Sequence, residues 1–275
     1  MCIRDRPQPL EAAGRVITDR FTTSDGVAIA YHRFEPEAST PDLPIVVLQH
    51  GFAADTASNW VAPGIVDALL SAGRRVVSVD ARGHGASDKP HDASAYGEGR
   101  MSADLVELFD ALDLEVLDLA GYSIGAIISV IAATTERRIR RMVIAGIGGR
   151  IARLGEGDRP PIDRSAIVDG MLADDPATIT DPGARAFRRF ADTTGADRFA
   201  LAAQMQSAHR SRIALDDITA TTLLIVGDGD VLASAPEELA AAITGCRVEI
   251  VTGDHLGAVA VPEFAAGLVG FLGAC

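Results

Sequence analysis

Short apolar runs alternate with helix-like segments along most of the chain, and this alternation restricts the possible folds more than any other feature. The runs are short enough to be buried strands, and they lie at residues 45–49, 75–80, 116–120, 142–146, 222–226 and 247–251. Helical spacing and helix-ending residues predict helices at 60–72, 99–113, 124–135, 235–244 and 258–272. Buried strands that alternate with helices predict an α/β fold with a mostly parallel, doubly wound sheet.

Two further patterns complete the predicted architecture. Residues 16–22 and 27–34 flank the turn Ser24-Asp25-Gly26 and predict a hairpin, which brings the sheet to eight strands. The alternation then stops in a long segment that is rich in Arg, Asp and Pro and carries only helical patterns. The predicted boundaries are therefore a helical cap at 150–214, inserted after the sixth strand, and a core at 11–149 and 215–275.

The first ten residues are predicted to lie outside the fold, as a non-native or disordered leader. The segment Met1-Cys2-Ile3-Arg4-Asp5-Arg6-Pro7 lacks the apolar centre of a signal peptide. Its residues resemble a translated cloning adapter and match nothing later in the chain.

Charge and cysteine usage exclude several classes of function. The formal net charge of −13 disfavours binding to nucleic acid, which depends on Lys and Arg to neutralise phosphates, and to an anionic membrane surface. The cysteines Cys2, Cys246 and Cys275 are far apart, so neither a disulfide framework nor a metal site is predicted. No apolar run is long enough for a membrane-spanning helix. We expect a cytoplasmic protein without a metal or organic cofactor.

Residues that could carry out catalysis follow the predicted strands. The pentapeptide Gly121-Tyr122-Ser123-Ile124-Gly125 lies between a strand and a helix, which is the pattern of a nucleophile elbow. Because the carboxyl ends of parallel strands meet at one edge of a sheet, the other strand-end segments are expected nearby. They are His50-Gly51-Phe52, residues 80–88, Gly227-Asp228-Gly229-Asp230 and Gly253-Asp254-His255-Leu256-Gly257.

Together these motifs resemble an α/β-hydrolase with a helical cap, from the branch that includes small bacterial esterases and carboxylesterases. The resemblance extends over about residues 16–272 and implies an α/β-hydrolase fold. It implies Ser123 as nucleophile, Asp230 as acid and His255 as base. It also implies an oxyanion hole formed by the backbone N–H groups of Phe52 and Ile124.

The chemistry of the residues agrees with these roles. A serine hydroxyl is a weak nucleophile that needs a base, and histidine is suitable because its free pKa is about 6.5. The residue after the nucleophile, Ile124, begins a helix, so its N–H has no partner within the helix. Asp228 and Asp254 are alternative acids, although the family spacing favours Asp230.

Ser123 also narrows the reaction. The resemblance implies Asp at this position for epoxide hydrolases and dehalogenases, and Cys for dienelactone hydrolases. We therefore expect cleavage of carboxylic esters with small to medium acyl groups, through an acyl-enzyme, with a small-molecule ester as the partner. Carbon–carbon bond hydrolysis, perhydrolysis, acyl transfer and a non-catalytic binding or receptor role remain open. The predicted pocket residues are Trp60, Tyr122, Met171, Phe187 and Phe190, and acidic cap residues could instead bind a free amine.

Overall fold

The computed structural model describes residues 15–37, 43–156 and 162–273, and an eight-stranded sheet forms its centre. The predicted leader at residues 1–10 lies outside the described residues. The spatial order of the strands is β1-β2-β4-β3-β5-β6-β7-β8; β1 and β2 are antiparallel to their neighbours, and the others are parallel. The strands are β1 (Arg15–Thr22), β2 (Ala28–Glu35), β3 (Ile45–Gln49), β4 (Val76–Val79), β5 (Leu117–Tyr122), β6 (Ile139–Ala145), β7 (Thr221–Gly227) and β8 (Arg247–Val251).

Helices cover both faces of this sheet, so the prediction of a doubly wound α/β fold is confirmed. One apolar core packs α2, α3 and α7 against the sheet, and a second core packs α1 and α8 against the other face. The core helices are α1 (Ile65–Ser71), α2 (Glu98–Ala111), α3 (Ile124–Thr135), α7 (Pro236–Ala242) and α8 (Pro262–Gly273). None of the helices within the described ranges combines the length and the apolar character that a membrane crossing requires.

The helix predicted at 60–72 is two shorter elements. A π-helical turn covers Ala57–Val61, and α1 begins only at Ile65. Gly64 between them has φ of 81°, in the left-handed region that favours glycine, so one continuous helix is impossible. The interruption leaves Trp60 fully buried in the core beside α1.

Three helices form the cap between β6 and β7: α4 (Arg164–Leu172), α5 (Pro182–Thr194) and α6 (Arg198–Gln206). Each begins at an aspartate whose carboxylate accepts hydrogen bonds from free N–H groups of the first turn, as with Asp181 and Ala184 N at 2.7 Å. Asp175 caps a short 3₁₀ turn in the same way. The acidic residues Asp175 and Asp181 thus stabilise turns and helix starts, which weakens the interpretation of the cap as an amine-binding surface.

The cap lies over the loop that follows β3. Its apolar core includes Phe52 and Ala53 from that loop together with residues of all three cap helices. Thr194 on α5 donates a hydrogen bond to the carbonyl oxygen of Ala53 at 2.9 Å. Because this loop also borders the predicted nucleophile, cap and sheet together enclose the space above Ser123.

Candidate active site

Ser123 occupies a sharp turn between β5 and α3. Its backbone has φ of 54° and ψ of −119°, a conformation that costs a non-glycine residue about 1–3 kcal/mol. The flanking glycines permit the turn. A Cβ atom on Gly125 would clash with the carbonyl oxygens of Gln49 and His50, and one on Gly121 would clash with α3. The strain holds the serine hydroxyl away from the backbone, as a nucleophile elbow requires.

The structure brings the three predicted polar residues into one hydrogen-bonded chain. Ser123 Oγ lies 2.9 Å from His255 Nε2, and His255 Nδ1 lies 2.8 Å from Asp230 Oδ2. The other oxygen of Asp230 accepts the N–H groups of Leu232 and Ala233, at 2.9 and 3.3 Å. These bonds fix a buried carboxylate behind the imidazole, the arrangement that orients a catalytic histidine.

The two alternative acids have other partners. Asp228 Oδ1 accepts the backbone N–H of Gly253 at 2.9 Å and so ties the β7 loop to the β8 loop. Asp254 Oδ1 accepts the N–H groups of Leu256 and Gly257, within its own turn. Asp230 is therefore the carboxylate that contacts His255 in this structure.

The two residues whose backbone N–H groups are the predicted oxyanion donors lie beside Ser123. Phe52 and Ile124 both line the cavity beside Ser123, and Ile124 is the first residue of α3. A Cβ atom on Gly51 would lie 3.3 Å from the Ser123 Cβ, so the β3 loop passes directly against the elbow. The N–H groups at a helix start and in such a loop can stabilise a developing oxyanion.

Buried histidines hold this loop in place. His50 Nε2 accepts the N–H of Ala81 at 3.0 Å, and His84 Nε2 accepts the N–H of Ala53 at 3.3 Å. Complete burial, with the nearby charge of His50, lowers the pKa of His84 to about 3. His84 therefore stays neutral at physiological pH and keeps an acceptor nitrogen for Ala53, whose φ of 60° is itself strained.

Tyr122 is hydrogen-bonded to the backbone of His255. Its hydroxyl donates to the carbonyl oxygen of His255 at 2.8 Å, and the two rings lie 5.8 Å apart. Burial, with the charges of Asp230 and Asp254, raises the pKa of Tyr122, so its phenol stays protonated and remains a donor. The Tyr122 side chain thus borders the site and positions the His255 backbone.

The cavity around Ser123 has two compartments, and both are bordered by Phe52, Ser123, Phe187 and His255. The smaller one, here the aromatic compartment, has about 460 Å³ of empty space including its open mouth and is also lined by Phe190, Leu256 and Val259. The larger one, here the arginine compartment, has about 680 Å³ including its open mouth. Its walls carry apolar side chains such as Ile147 and Met205, and also Glu98, Arg150 and Arg164.

Two of the predicted pocket residues do not line this cavity. Trp60 packs in the core between α1 and the sheet, because the π-helical turn directs its ring inward. Met171 is fully buried in the centre of the cap, where it packs α4 against the other cap helices. Phe187 and Phe190 on α5 do border the cavity, and the ring of Phe187 meets that of Phe52 at 5.7 Å between centroids.

The charged residues in the wall of the arginine compartment were not predicted from the sequence. Glu98 starts α2, Arg150 follows β6 and Arg164 starts α4, so the three residues come from distant segments of the chain. None of them belongs to a strand-end motif. Only the packing of the cap on the sheet brings them together, and no sequence spacing could have indicated it.

The family follows from comparison with known proteins. Residues 44–258 match the family model described as alpha/beta hydrolase fold, which is most of the chain. The chain belongs to the α/β-hydrolase family. A solved structure of a hydrolase from Pseudomonas aeruginosa PA01 is 28% identical, covers 94% of this chain and 98% of its own, and superposes with a TM-score of 0.67.

Other members of the family differ in their chemistry. Epoxide hydrolase A of Mycobacterium tuberculosis is 35% identical over 111 residues, which is 40% of this α/β-hydrolase and 32% of that enzyme. An esterase from Exiguobacterium antarcticum shares the fold with a TM-score of 0.75 and 22% identity, covering 93% of this chain and 99% of its own. The chain spans between 24% and 54% of the length of the first curated relatives that it matches. The comparisons therefore support a hydrolase and leave its substrate open.

Proposed function

We propose that this α/β-hydrolase cleaves carboxylic esters of small to medium acyl groups through an acyl-enzyme. The observation that carries the proposal is the chain of contacts from Ser123 Oγ to His255 Nε2 and from His255 Nδ1 to Asp230, at 2.9 and 2.8 Å. A serine, an imidazole and a buried carboxylate in this order are the parts that acyl transfer to serine requires.

The first half of the reaction forms the acyl-enzyme. His255 accepts the proton of the Ser123 hydroxyl while the oxygen attacks the ester carbonyl carbon. The N–H groups of Phe52 and Ile124 stabilise the negative oxygen of the tetrahedral intermediate. The imidazolium, stabilised by Asp230, then gives its proton to the departing alcohol, and the acyl group remains on Ser123.

The second half uses water in place of the alcohol. His255 takes a proton from the water, whose oxygen attacks the acyl carbon, and returns that proton to Ser123 Oγ as the bond breaks. The carboxylic acid leaves, and the starting hydrogen-bonded chain is restored. The residue at the elbow supports this scheme, because Ser123 forms an ester intermediate that water can hydrolyse.

The shape of the cavity supports acyl groups of limited length. The aromatic compartment has about 460 Å³ of space, its open mouth included, and Phe187, Phe190 and Val259 line it. A long acyl chain that extends along the arginine compartment would have to pass the charged side chains of Glu98, Arg150 and Arg164. We therefore expect the rate to be highest for short and medium chains.

A series of p-nitrophenyl esters from acetate to dodecanoate tests the proposal. We expect turnover with a maximum at or below the octanoate. Rapid mixing should show a burst of about one p-nitrophenolate per enzyme wherever deacylation is slower than acylation. Absence of turnover across the whole series would contradict the proposal and would favour the carbon–carbon bond hydrolase, perhydrolase, acyltransferase or binding alternatives.

A further inference from the structure

Arg164 places a guanidinium at the wall of the cavity that also borders Ser123. It is the first residue of α4, its side chain is half-buried, and it lines the arginine compartment together with Ser123. Among the described residues, Glu98, Arg150 and Arg210 act on its charge, and none of them forms a hydrogen bond with its guanidinium. A guanidinium is fully charged and carries five N–H donors, so one that lines a cavity can bind an anionic group there.

Other cap arginines show that this fold can satisfy such a group. Arg188 on α5 donates to the carbonyl oxygens of Gly170 and Ala173 at 2.8 Å and pairs with Asp192 at 2.9 Å. Arg198 on α6 donates to the carbonyl oxygen of Met171 at 3.0 Å. These side chains connect the cap helices, whereas that of Arg164 borders the open cavity.

Several charged groups surround Arg164. Burial lowers the pKa of Arg164; Glu98 opposes that effect, while Arg150 and Arg210 add to it. All three neighbours therefore lie close enough to act on its charge. Glu98 is 2% exposed, and one of its oxygens already accepts the backbone N–H of His209. Arg164 thus borders the compartment together with Arg150 and Glu98, in a chain whose formal charge is −13.

We propose that the substrate carries a carboxylate and that Arg164 binds it in the arginine compartment, while the scissile carbonyl lies at Ser123. This inference rests on the proposed ester hydrolysis and specifies its substrate class as a half-ester or another carboxylate-bearing ester. A guanidinium and a carboxylate have matching planar geometry and form two parallel hydrogen bonds. The apolar remainder of the substrate occupies the aromatic compartment.

Matched pairs of esters test the proposal kinetically. One pair places the charge on the acyl side, as mono-p-nitrophenyl glutarate against p-nitrophenyl valerate. A second pair places it on the alcohol side, as 4-butyryloxybenzoate against 4-methylphenyl butyrate. In at least one pair we expect a higher kcat/KM for the anionic ester, which also identifies the side that carries the charge. A preference for the neutral ester in both pairs would overturn the proposal.

The variant Arg164→Gln tests whether Arg164 causes the preference for the anionic ester. The ratio of kcat/KM between anionic and neutral ester should fall by roughly tenfold to a hundredfold, as expected when a charged hydrogen-bond partner is lost. Arg212→Gln is the matched control, because it removes the same charge from a side chain that is 75% exposed, and it should leave the ratio unchanged. An equal fall in both variants, or in neither, would contradict the role of Arg164.

A binding measurement separates this inference from the proposed reaction. Calorimetric titration of Ser123→Ala with monobenzyl glutarate and with benzyl valerate needs no turnover. We expect tighter binding of the glutarate and loss of that difference in Ser123→Ala/Arg164→Gln. Binding of this kind without ester turnover would contradict only the proposed function, whereas turnover with equal binding of both probes would contradict only the carboxylate site.

Discussion

The described residues contain two hydrogen-bonded chains of hydroxyl, imidazole and carboxylate, and one of them borders the cavity. The first is Ser123–His255–Asp230, described above. In the second, Thr18 Oγ1 lies 2.9 Å from His32 Nδ1, and His32 Nε2 lies 3.1 Å from Asp80 Oδ2. The residue types and distances are nearly the same.

The surroundings of the two chains differ. Thr18 lies in the regular strand β1, at the edge of the sheet and exposed to solvent, without a strained turn. The hydrogen-bonded chain Thr18–His32–Asp80 borders neither compartment of the cavity. Asp80 is committed to structure, because it accepts the N–H groups of Thr56 and Ala86 at 2.9 and 2.8 Å and joins two loops. A triad is therefore defined by its elbow, oxyanion donors and cavity as much as by its three side chains.

Removing the hydroxyl group from each hydrogen-bonded chain should give the largest difference in activity between the two. Ser123→Ala should lower the kcat for p-nitrophenyl butyrate by about 10⁴-fold or more, because no nucleophile remains. Thr18→Val removes a hydroxyl from a residue of similar shape, and its kcat should stay within about twofold of the wild type by the usual size of surface effects. Steady-state kinetics of both purified variants measures the contrast, and a similar loss in both would refute it.

Replacement of Asp230 should lower the activity, whereas replacement of Asp80 should lower the stability. Asp230→Asn should lower kcat by about 10⁴-fold, because the amide no longer orients and stabilises the His255 imidazolium. Asp80→Asn should instead lower the free energy of unfolding by about 1–3 kcal/mol, since buried N–H groups lose a charged acceptor. Kinetics and urea unfolding of both variants provide the test. A fall in kcat for Asp80→Asn as large as that for Asp230→Asn would remove the distinction.

The sharp turn at Ser123 is a feature that the Thr18–His32–Asp80 group lacks. Because atoms are closely packed around this turn, an added methyl group should change the stability of the fold. Gly125→Ala should destabilise the fold by several kcal/mol, because its Cβ would collide with backbone carbonyl groups that cannot move independently. Gly270→Ala in α8 adds the same methyl group where no atom lies within 4 Å, and it should be neutral or stabilising by up to about 1 kcal/mol. Thermal unfolding of the two variants compares them directly; equal melting temperatures would contradict the crowding.

The structural role of Asp80 also predicts a pH dependence. Burial alone would raise the pKa of Asp80, but the hydrogen bond and charge of His32, with the nearby His50, outweigh it and hold this pKa well below its usual range. A depressed carboxyl pKa contributes stability above the unfolded value of about 3.9, and this stability is lost as the pH falls.

The unfolding free energy of the wild type minus that of Asp80→Asn should therefore shrink by about 1–2 kcal/mol between pH 5 and pH 2. The same difference for Asp216→Asn, at a carboxylate that is 76% exposed, should remain nearly constant. Urea titrations at several pH values provide the data. A constant difference for Asp80→Asn would show that its charge does not stabilise the fold.

Position along a strand predicted which polar side chains would meet, while their catalytic roles stay a prediction. Ser123, Asp230 and His255 each follow a predicted strand, and parallel strands bring such positions together. The sequence did not indicate where Trp60 lies, because the π-helical turn that contains it leaves no periodic signal in a single sequence. Arg164 was also not predicted. The packing of the cap determines which residues line the cavity, and that packing leaves no periodic signal in the sequence.

Covalent labelling with a fluorophosphonate tests the central claim most directly. The reagent reacts with a serine only where a base, an oxyanion site and an open cavity act together, so it separates the two hydroxyl chains of this molecule. Intact-protein mass and peptide mapping should show one adduct, on Ser123, with none on Thr18 and none in Asp230→Asn over the same time. An unlabelled Ser123 in the wild-type enzyme would contradict the account.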